Sequence, residues 1–245
     1  MTDDAAMSGD KKVVAVLVGA TGLVGSMLLP KLLADARYSR IIAPTRRPLQ
    51  LEGATEKLVN PVNADVVEAL PKGEHVDHVY ICTGTTRKKT PDLEKYTAIE
   101  VGLPDKCAQW AADAGASYLG VVSSMGANAR SKFAYTRLKG EMEQLVLAKD
   151  VPNVSILEPS VIFGKRNESR TGESIAKGVM GFFAPLIPRN YRGIHADVIA
   201  ERLHADAFAN LGKRTVLSGD IPVPKETASS SSERKGSEKG GAQKH

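Results

Sequence analysis

The sequence predicts an α/β protein with a doubly wound parallel sheet and a small C-terminal region of helices and loops that covers the substrate. Three observations support this prediction. Short apolar runs alternate with helical patterns along most of the chain, a glycine-rich turn joins the first strand to the first helix, and the 245 residues are 42% hydrophobic. A chain of this length and composition can bury the core of one domain.

The periodicity of apolar residues predicts strands and helices in alternating order. Six strands are expected, the third weaker than the others, at residues 12–18, 40–45, 56–62, 77–84, 117–124 and 153–161. Helices are expected at residues 23–36, 65–70, 92–114 and 132–148, followed by a mainly helical and loop-rich segment at 172–211 with an amphipathic helix within 193–210. We expect that last segment to lie over the carboxyl ends of the strands.

Residues 13–224 are predicted to form one nucleotide-binding domain, of which about residues 160–224 cover the substrate. Residues 1–12 are polar and lack the apolar centre of a secretory signal, so they are interpreted as a flexible leader. The tail at 225–245 has no large apolar residue and is predicted to be disordered. Because no apolar run reaches the roughly 18 residues of a membrane span, no membrane insertion is expected. A cytoplasmic location is therefore expected.

The charge and the spacing of possible metal ligands argue against two classes of function. The formal net charge of +5 is modest, and no basic stripe with interleaved aromatic residues is present, so a nucleic-acid partner is not expected. An anionic small molecule suits this charge at least as well. The five histidines and the two cysteines have no metal-ligand spacing, so no metal site is expected. Cys82 and Cys107 are expected to be reduced and buried.

Three glycines follow the first predicted strand at intervals of three residues, in GATGLVG. Gly19 permits a tight turn, Gly22 lets the backbone approach a pyrophosphate, and Gly25 lets the helix pack closely on the strand. The positive end of that helix would face the anion. A turn without a ligand is the alternative, but the strand, glycine turn and helix in this order favour a Rossmann nucleotide-binding site.

The end of the second predicted strand indicates which nucleotide is bound. An acidic residue there would bind the adenosine ribose hydroxyl of NAD, but the stretch reads APTRRPL. Arg46 and Arg47 can instead bind a phosphate through bidentate hydrogen bonds. Two solvated arginines are the alternative reading. The pattern favours NADP(H) over NAD as the cofactor.

A serine, a tyrosine and a lysine follow in an order typical of proton transfer beside a nicotinamide. Tyr135 and Lys139 are four residues apart on a predicted helix and therefore share a face, while Ser123 and Ser124 end the preceding strand. Tyr135 can exchange a proton with a carbonyl oxygen, and a neighbouring ammonium favours its phenolate form. Ser124 would orient the substrate oxygen. A tyrosine that only packs the helix is the structural alternative.

The motifs GATGLVG, CTGTTR, VSSMGA, YTRLKGE and EPSVIFGKRNESR resemble the short-chain dehydrogenase/reductase superfamily over about residues 13–215. They are most similar to its atypical branch, the Tat-interacting-protein oxidoreductases and their fungal mitochondrial relatives. This resemblance implies that Tyr135 and Lys139 are the catalytic pair. It also implies four groups of cofactor contacts: Thr21, Gly22, Leu23 and Val24 at the pyrophosphate, Arg46 and Arg47 at the 2′-phosphate, Thr83, Gly84 and Thr85 at the adenine-side ribose, and Pro159, Ser160 and Val161 at the nicotinamide.

Two residues depart from the pattern of this branch. Glu158 stands where the relatives usually have arginine before the proline, and Glu100 stands where they usually have aspartate or asparagine. The gap from serine to tyrosine is also shorter than in typical short-chain enzymes, so the choice between Ser123 and Ser124 stays open.

These observations predict an NADP-dependent oxidoreductase that transfers a hydride to or from a carbonyl or alcohol. A regulatory protein that senses NADP(H) and binds a protein partner is the alternative, because the relatives are also discussed as regulators. An epimerase or dehydratase that keeps its nucleotide bound is a third reading, weakened by the short chain after Val161. The resemblance also implies a mitochondrial surface or nuclear location, and the chain is expected to be a monomer or a dimer.

Overall fold

A computed structural model of the chain describes residues 12–50, 56–164 and 188–222. The predicted leader except Lys12, the whole predicted tail, and residues 172–187 of the predicted helical segment lie outside the described residues. The described residues contain no helix that is both long enough and apolar enough to cross a membrane.

Seven parallel strands form the main sheet, in the order β3-β2-β1-β4-β5-β6-β9. This sheet confirms the predicted fold class. Two further short strands, β7 and β8, pair with each other in parallel. The strands in chain order are β1 (Val13–Val18), β2 (Tyr38–Ile42), β3 (Leu58–Val59), β4 (His78–Ile81), β5 (Tyr118–Val122), β6 (Asn153–Glu158), β7 (Ile162–Phe163), β8 (Ile194–His195) and β9 (Lys213–Leu217).

Five α-helices are described, and a single π-helical turn at Ala98–Gly102 joins the second to the third. Asp92 caps the second helix, because its carboxylate accepts a hydrogen bond from the Lys95 amide at 2.8 Å. The helices are α1 (Gly25–Ala34), α2 (Leu93–Thr97), α3 (Leu103–Asp113), α4 (Ala134–Leu147) and α5 (Ala196–Asp206).

The core consists of two apolar layers, one on each face of the sheet. Leu28 and Leu32 of α1 and Leu203 of α5 are fully buried on one face. Met142 and Val146 of α4 are buried on the other, together with α3. Because helices cover both faces, the strands are apolar on both sides, as is usual for parallel sheets. Each fully buried leucine contributes about 1.5–3 kcal/mol.

Two predicted elements differ in the structure. Residues 65–70 form turns rather than a helix, because Asn63 and Asp65 accept hydrogen bonds from backbone amides two residues further on, at 2.9 Å each, which competes with helix formation. The predicted third strand at 56–62 is reduced to β3 and an isolated bridge between Thr45 and Val62.

The C-terminal part of the chain joins the core more than expected. The edge strand β9 was not predicted, because its sequence is charged at its start and only Val216 is buried. Edge strands often carry such charges, which weaken the apolar pattern. Helix α5 packs against α1 on one face of the sheet, through Ile199 and Leu203, rather than over the carboxyl ends of the strands. For α5, the predicted position was therefore wrong.

Both cysteines are buried free thiols, as expected. Burial raises the pKa of Cys82 and of Cys107 to about 12, so both stay protonated at neutral pH. Neither thiol is therefore activated as a nucleophile.

Candidate functional site

The strand order reverses at β1, which has β2 on one side and β4 on the other. At such a switch point the loops after the two strands diverge and leave a crevice at the carboxyl edge. Gly19 directly follows β1 and has φ +90°, and a Cβ added there would lie 2.6 Å from the carbonyl oxygen of Cys82. The loops that follow β1 and β4 therefore touch through their backbones, which only glycine permits at this position.

The other two glycines keep this turn compact. The Gly22 amide donates a hydrogen bond to the Gly19 carbonyl at 2.9 Å. A Cβ on Gly25, the first residue of α1, would lie 2.1 Å from that same carbonyl oxygen. The start of α1 has neither a side-chain cap nor an acidic residue in its first turn. No acidic side chain therefore competes with an anion for the positive end of this helix.

The residues between the glycines occupy different positions. Thr21 is exposed, Val24 is buried directly before α1, and Leu23 is half-buried. Leu23 lies close to Gly164, where an added Cβ would be 2.7 Å from its Cδ1 atom. The turn thus leaves Thr21 at the surface and packs Leu23 against the chain that follows β7.

The loop after β4 forms the second wall of the crevice. The Thr83 hydroxyl oxygen is buried and has no hydrogen-bond partner among the described residues, which is unusual for a buried polar group. Gly84 is exposed. The Thr85 amide donates to Glu100 at 2.6 Å, and its hydroxyl is 2.9 Å from that of Thr90.

A dinucleotide fits these observations. The crevice contains a glycine turn that any side chain would fill, a helix start without a cap, and an unpartnered buried hydroxyl on the facing wall. The first two features are those that bind a pyrophosphate. These residues could therefore hold the cofactor that the sequence predicts.

Arg46 and Arg47 are exposed in the turn after β2, at the same edge of the sheet. Hydrogen bonds hold this turn in place. The buried Thr45 hydroxyl donates to the Arg47 carbonyl at 2.6 Å, and the Asn60 side-chain amide donates to the Ala43 carbonyl at 2.6 Å. The backbone of the turn is therefore anchored, while the two guanidinium groups are accessible to a ligand.

Helix α4 carries three ionisable residues at intervals of four, Tyr135, Lys139 and Glu143, along one face. Tyr135 lies near the start of the helix and is 42% exposed, whereas Lys139 and Glu143 are buried. Gly140 lets the chain before α4 pack on this helix, because a Cβ there would lie 2.2 Å from the Ala129 amide nitrogen. The stripe therefore runs from the surface at Tyr135 into the core at Glu143.

The Lys139 ammonium forms a buried ion pair with Glu100, at 2.7 Å. The two side chains are 7% and 1% exposed. Glu100 lies on the π-helical turn between α2 and α3, and its other carboxylate oxygen accepts the Thr85 amide. One carboxylate thus joins the loop after β4 to the helix that carries Tyr135.

A second buried carboxylate, that of Glu143, lies one helical turn beyond Lys139 on α4. Ser123, at the end of β5, donates its hydroxyl to Glu143. The pKa of Glu143 is raised to about 7, chiefly by burial and also by the Glu158 charge, while the Ser123 hydrogen bond and the Lys139 charge oppose the shift. Burial also raises the pKa of Glu158, which accepts a backbone hydrogen bond from Gly126.

The two candidate serines differ in their surroundings. Ser123 is buried and bound to Glu143, whereas Ser124 is half-buried. The structure therefore gives Ser123 a buried partner and leaves Ser124 as the better candidate to meet a substrate. Its role stays a prediction.

The residues after β6 are organised by hydrogen bonds. The Pro159 carbonyl accepts the Met125 amide at 2.9 Å, and the Ser160 hydroxyl donates to the Arg192 carbonyl. Val161 is exposed, and its carbonyl accepts the Ile194 amide at 2.9 Å. These contacts place the three residues at the carboxyl edge, where the resemblance implies the nicotinamide.

Two residues near this site, Glu143 and Tyr96, were not predicted as site residues from the sequence. Glu143 continues the spacing of Tyr135 and Lys139 by one more helical turn, so the spacing itself could have indicated it. Tyr96 of α2 is buried, and its pKa is raised to about 12 by burial and by the charges of Glu100 and Tyr135. No spacing in the sequence indicates this tyrosine.

Residues 15–180 match the NAD dependent epimerase/dehydratase family. The chain is 35% identical over 222 residues to the protein named "Protein fmp52, mitochondrial" of Aspergillus niger, an alignment that covers 86% of this chain and 91% of that protein. The fungal part of the resemblance is therefore confirmed. Fungal relatives of this kind are named as mitochondrial proteins, so the expected cytoplasmic location is wrong.

Solved structures share the fold at low sequence identity. MoeE5 in complex with UDP-glucose and NAD is 18% identical with a TM-score of 0.61, over 82% of this chain and 74% of that chain. The PhqB reductase domain from Penicillium fellutanum is 14% identical with a TM-score of 0.61, over 83% and 66% of the two chains. These structures show the fold alone. Because the family model matches residues 15–180, more than half of the chain, the chain belongs to the NAD dependent epimerase/dehydratase family, within the extended short-chain dehydrogenase/reductase superfamily.

Proposed function

We propose that the chain is an NADP(H)-dependent oxidoreductase of the atypical short-chain type that acts on a carbonyl or alcohol. The observation that carries this proposal is the buried Lys139 ammonium, one helical turn beyond Tyr135 and beside the glycine crevice. Lysine is almost never fully buried unless it is paired, and here the Glu100 carboxylate is the partner that holds the ammonium in place. A positive charge next to an accessible phenol suits proton transfer.

A carbonyl substrate would take a hydride at its carbon from the reduced nicotinamide and a proton at its oxygen from Tyr135, which makes an alcohol and leaves the oxidised cofactor. Tyr135 is the general acid in this direction and the general base in reverse. Lys139 holds positive charge beside the phenol. Ser124 donates a hydrogen bond that orients the substrate oxygen.

The two arginines after β2 support NADP(H) over NAD. Arg46 and Arg47 are exposed on an anchored turn at the crevice edge, where the adenosine ribose of a bound dinucleotide would lie. Guanidinium groups bind phosphate through paired hydrogen bonds. The solved structure of MoeE5 contains NAD, so it gives no support for NADP(H). The proposed preference for the 2′-phosphate rests on Arg46 and Arg47 of this chain.

A nucleotide titration tests the cofactor. Nicotinamide fluorescence would follow NADPH and NADH binding to the wild type and to the double variant Arg46→Ala/Arg47→Ala. We expect the double variant to lose roughly tenfold or more in NADPH affinity, with weak NADH binding throughout. The variant Lys72→Ala/Lys106→Ala removes two exposed charges elsewhere and is the matched control. Equal affinity for both nucleotides in the wild type would refute the NADP(H) preference.

A second experiment tests the chemistry. Tyr135→Phe removes one hydroxyl and should leave NADPH binding nearly unchanged while it abolishes turnover in a screen of carbonyl substrates. Equal turnover in the variant would refute the role of Tyr135. NADPH-dependent binding of a protein partner without any turnover would favour the regulatory alternative, and a nucleotide that stays bound through each turnover would favour an epimerase or dehydratase.

The names of the fungal relatives also support a proposal about location. We expect the chain to lie at mitochondria, as these relatives are named. The proposal that it belongs with the Tat-interacting-protein oxidoreductases rests on the resemblance of its motifs alone. Microscopy of the tagged full chain beside a mitochondrial marker tests the location, and a separate distribution would refute it.

A further inference from the structure

Three segments of the chain meet at Ser160, in the loop after β6. The first is that loop, the second is the segment before β8, and the third is the turn Ser218–Asp220 that follows β9. Strand β9 pairs with β6 in parallel, with Leu217 beside Glu158, so both strands end at the same edge of the sheet. The C-terminal part of the chain therefore brings Ser218 to the candidate site, although this serine was not predicted as a site residue.

Ser218 is buried and forms two hydrogen bonds with Ser160. Its hydroxyl oxygen accepts the Ser160 amide at 3.1 Å, and its hydrogen is donated to the Ser160 hydroxyl, also at 3.1 Å. The Ser160 hydroxyl in turn donates to the Arg192 carbonyl. Because a hydroxyl has a single hydrogen to donate, Ser160 has none left for a ligand, and its hydroxyl holds the loop in shape.

The turn that carries Ser218 is anchored to α5. The Arg202 guanidinium donates to the carbonyls of Asp220 and Ile221, at 2.6 and 3.2 Å, and Ile221 is fully buried. Asp206 holds this guanidinium in place through an ion pair at 2.8 Å. These contacts fix the position from which the Ser218 hydroxyl reaches the loop after β6.

We propose, on the basis of the function proposed above, that Ser218 is a positioning residue that shapes the loop after β6 for the nicotinamide half of the cofactor. That loop contains the residues for which the resemblance implies contact with the nicotinamide. The adenine half would lie beside Arg46 and Arg47, in the turn after β2, whereas the hydrogen bonds of Ser218 join the loop after β6 to the segment before β8. Removal of the Ser218 hydroxyl should therefore weaken the binding of one half of the cofactor and leave the other half unaffected.

Ser218→Ala tests this inference with two ligands. Calorimetric titration would compare the affinity for NADPH with that for adenosine 2′,5′-bisphosphate, which has the adenine end and the 2′-phosphate but no nicotinamide. We expect NADPH to bind roughly threefold to tenfold more weakly to the variant, and the bisphosphate to bind within about twofold of the wild type. Equal weakening of both ligands, or no weakening of either, would overturn the inference.

Hydrogen exchange gives a measurement that needs no ligand. The Ser160 amide donates to the Ser218 hydroxyl, so in Ser218→Ala it should exchange roughly tenfold faster or more. An unchanged exchange rate would overturn the inference. A wild type that binds neither NADPH nor NADH would refute the proposed function, and the exchange rate would still decide whether Ser218 holds the loop.

Two further variants separate positioning from a general loss of stability. Ser155→Ala removes another buried serine hydroxyl, on β6, that is hydrogen-bonded to Tyr118. It should lower stability but leave both affinities and the Ser160 exchange rate unchanged. Ser218→Thr keeps the hydroxyl and should behave like the wild type in both measurements. A threonine variant that binds NADPH as weakly as Ser218→Ala would overturn the inference.

A milder substitution keeps the inference testable if Ser218→Ala does not fold. The thiol of Ser218→Cys is similar in shape to the hydroxyl but forms only weak hydrogen bonds. This variant should change the NADPH affinity and the Ser160 exchange rate in the same directions as the alanine variant. Wild-type values of both in Ser218→Cys would overturn the inference.

Discussion

The two ends of the candidate site differ in the groups that pack there, which are backbone atoms at the glycine turn and charged side chains around Lys139. At the glycine turn, backbone lies against backbone, and a single added carbon on Gly25 would come within 2.1 Å of a carbonyl oxygen. Around Lys139, charged side chains lie in the core, with Glu100 at 2.7 Å and Glu143 one turn away. The first end is restricted by volume and the second by charge.

This difference predicts which substitutions each end tolerates. An added methyl group should disrupt the glycine turn even though it carries no charge. A change of charge at constant volume should alter the surroundings of Lys139 while the fold persists. Substitutions of each kind at each end therefore separate the two halves of the site.

The largest effect is expected for Gly25→Ala. The new Cβ would collide with the Gly19 carbonyl and push α1 away from the turn, at a cost of about 3 kcal/mol or more, the upper end of the range for overpacking. Dinucleotide binding should be lost with it. Urea unfolding and NADPH fluorescence measure the two effects.

Gly102→Ala is the matched control for this steric prediction. Gly102 ends the π-helical turn, and an added Cβ there meets nothing within 4 Å. Alanine should therefore leave stability unchanged or raise it by about 0.5–1 kcal/mol. Equal losses in both variants would show that the volume restriction is not specific to the crevice.

The second effect concerns charge, at Glu143. Folding raises the pKa of this carboxyl from 4.5 to about 7, so the folded chain binds the proton more tightly than the unfolded chain does. The resulting stability is complete below pH 4.5 and is lost as the pH rises through 7. At about 1.4 kcal/mol per pH unit of this window, the loss is about 3–4 kcal/mol.

Glu143→Gln should remove this loss, because the amide is neutral at every pH and its oxygen can still accept the Ser123 hydroxyl. The variant should be more stable than the wild type at pH 8 and similar to it at pH 4.5, by denaturant unfolding at both. Glu141→Gln, on the exposed side of α4, is the control and should show no such pH dependence. A wild-type stability that does not fall between pH 4.5 and pH 8 would contradict the prediction.

The same contrast explains which parts of the fold and of the site could be predicted from the sequence. A glycine turn requires particular residue types at fixed spacing, so Gly19, Gly22 and Gly25 were predicted with their roles. Six strands of the main sheet were also predicted, because burial on both faces makes them continuous apolar runs. The exception was β9, whose edge position permits charged residues.

The charged end of the site was harder to predict from the sequence than the glycine turn. Glu100 was noticed only as a departure from the relatives, because an ion pair between residues far apart in the chain has no periodicity. The partner of Ser123 was missed, although Glu143 continues the four-residue spacing of Tyr135 and Lys139. The turns at 65–70 were predicted as a helix, because side-chain hydrogen bonds from Asn63 and Asp65 do not alter the apolar pattern.

The smallest effects are expected at the two serines, where they separate structure from chemistry. Ser123→Ala removes a buried hydrogen bond to Glu143, so it should cost about 1 kcal/mol in unfolding free energy and change turnover little. Ser124→Ala should leave stability within about 0.5 kcal/mol of the wild type, since it deletes a half-buried hydroxyl. If Ser124 orients the substrate, the same variant should lower kcat/KM by roughly tenfold, with NADPH affinity unchanged. The reverse pattern, with turnover lost in Ser123→Ala alone, would move the orienting role to the serine that contacts Glu143 and would make that buried carboxyl part of the reaction.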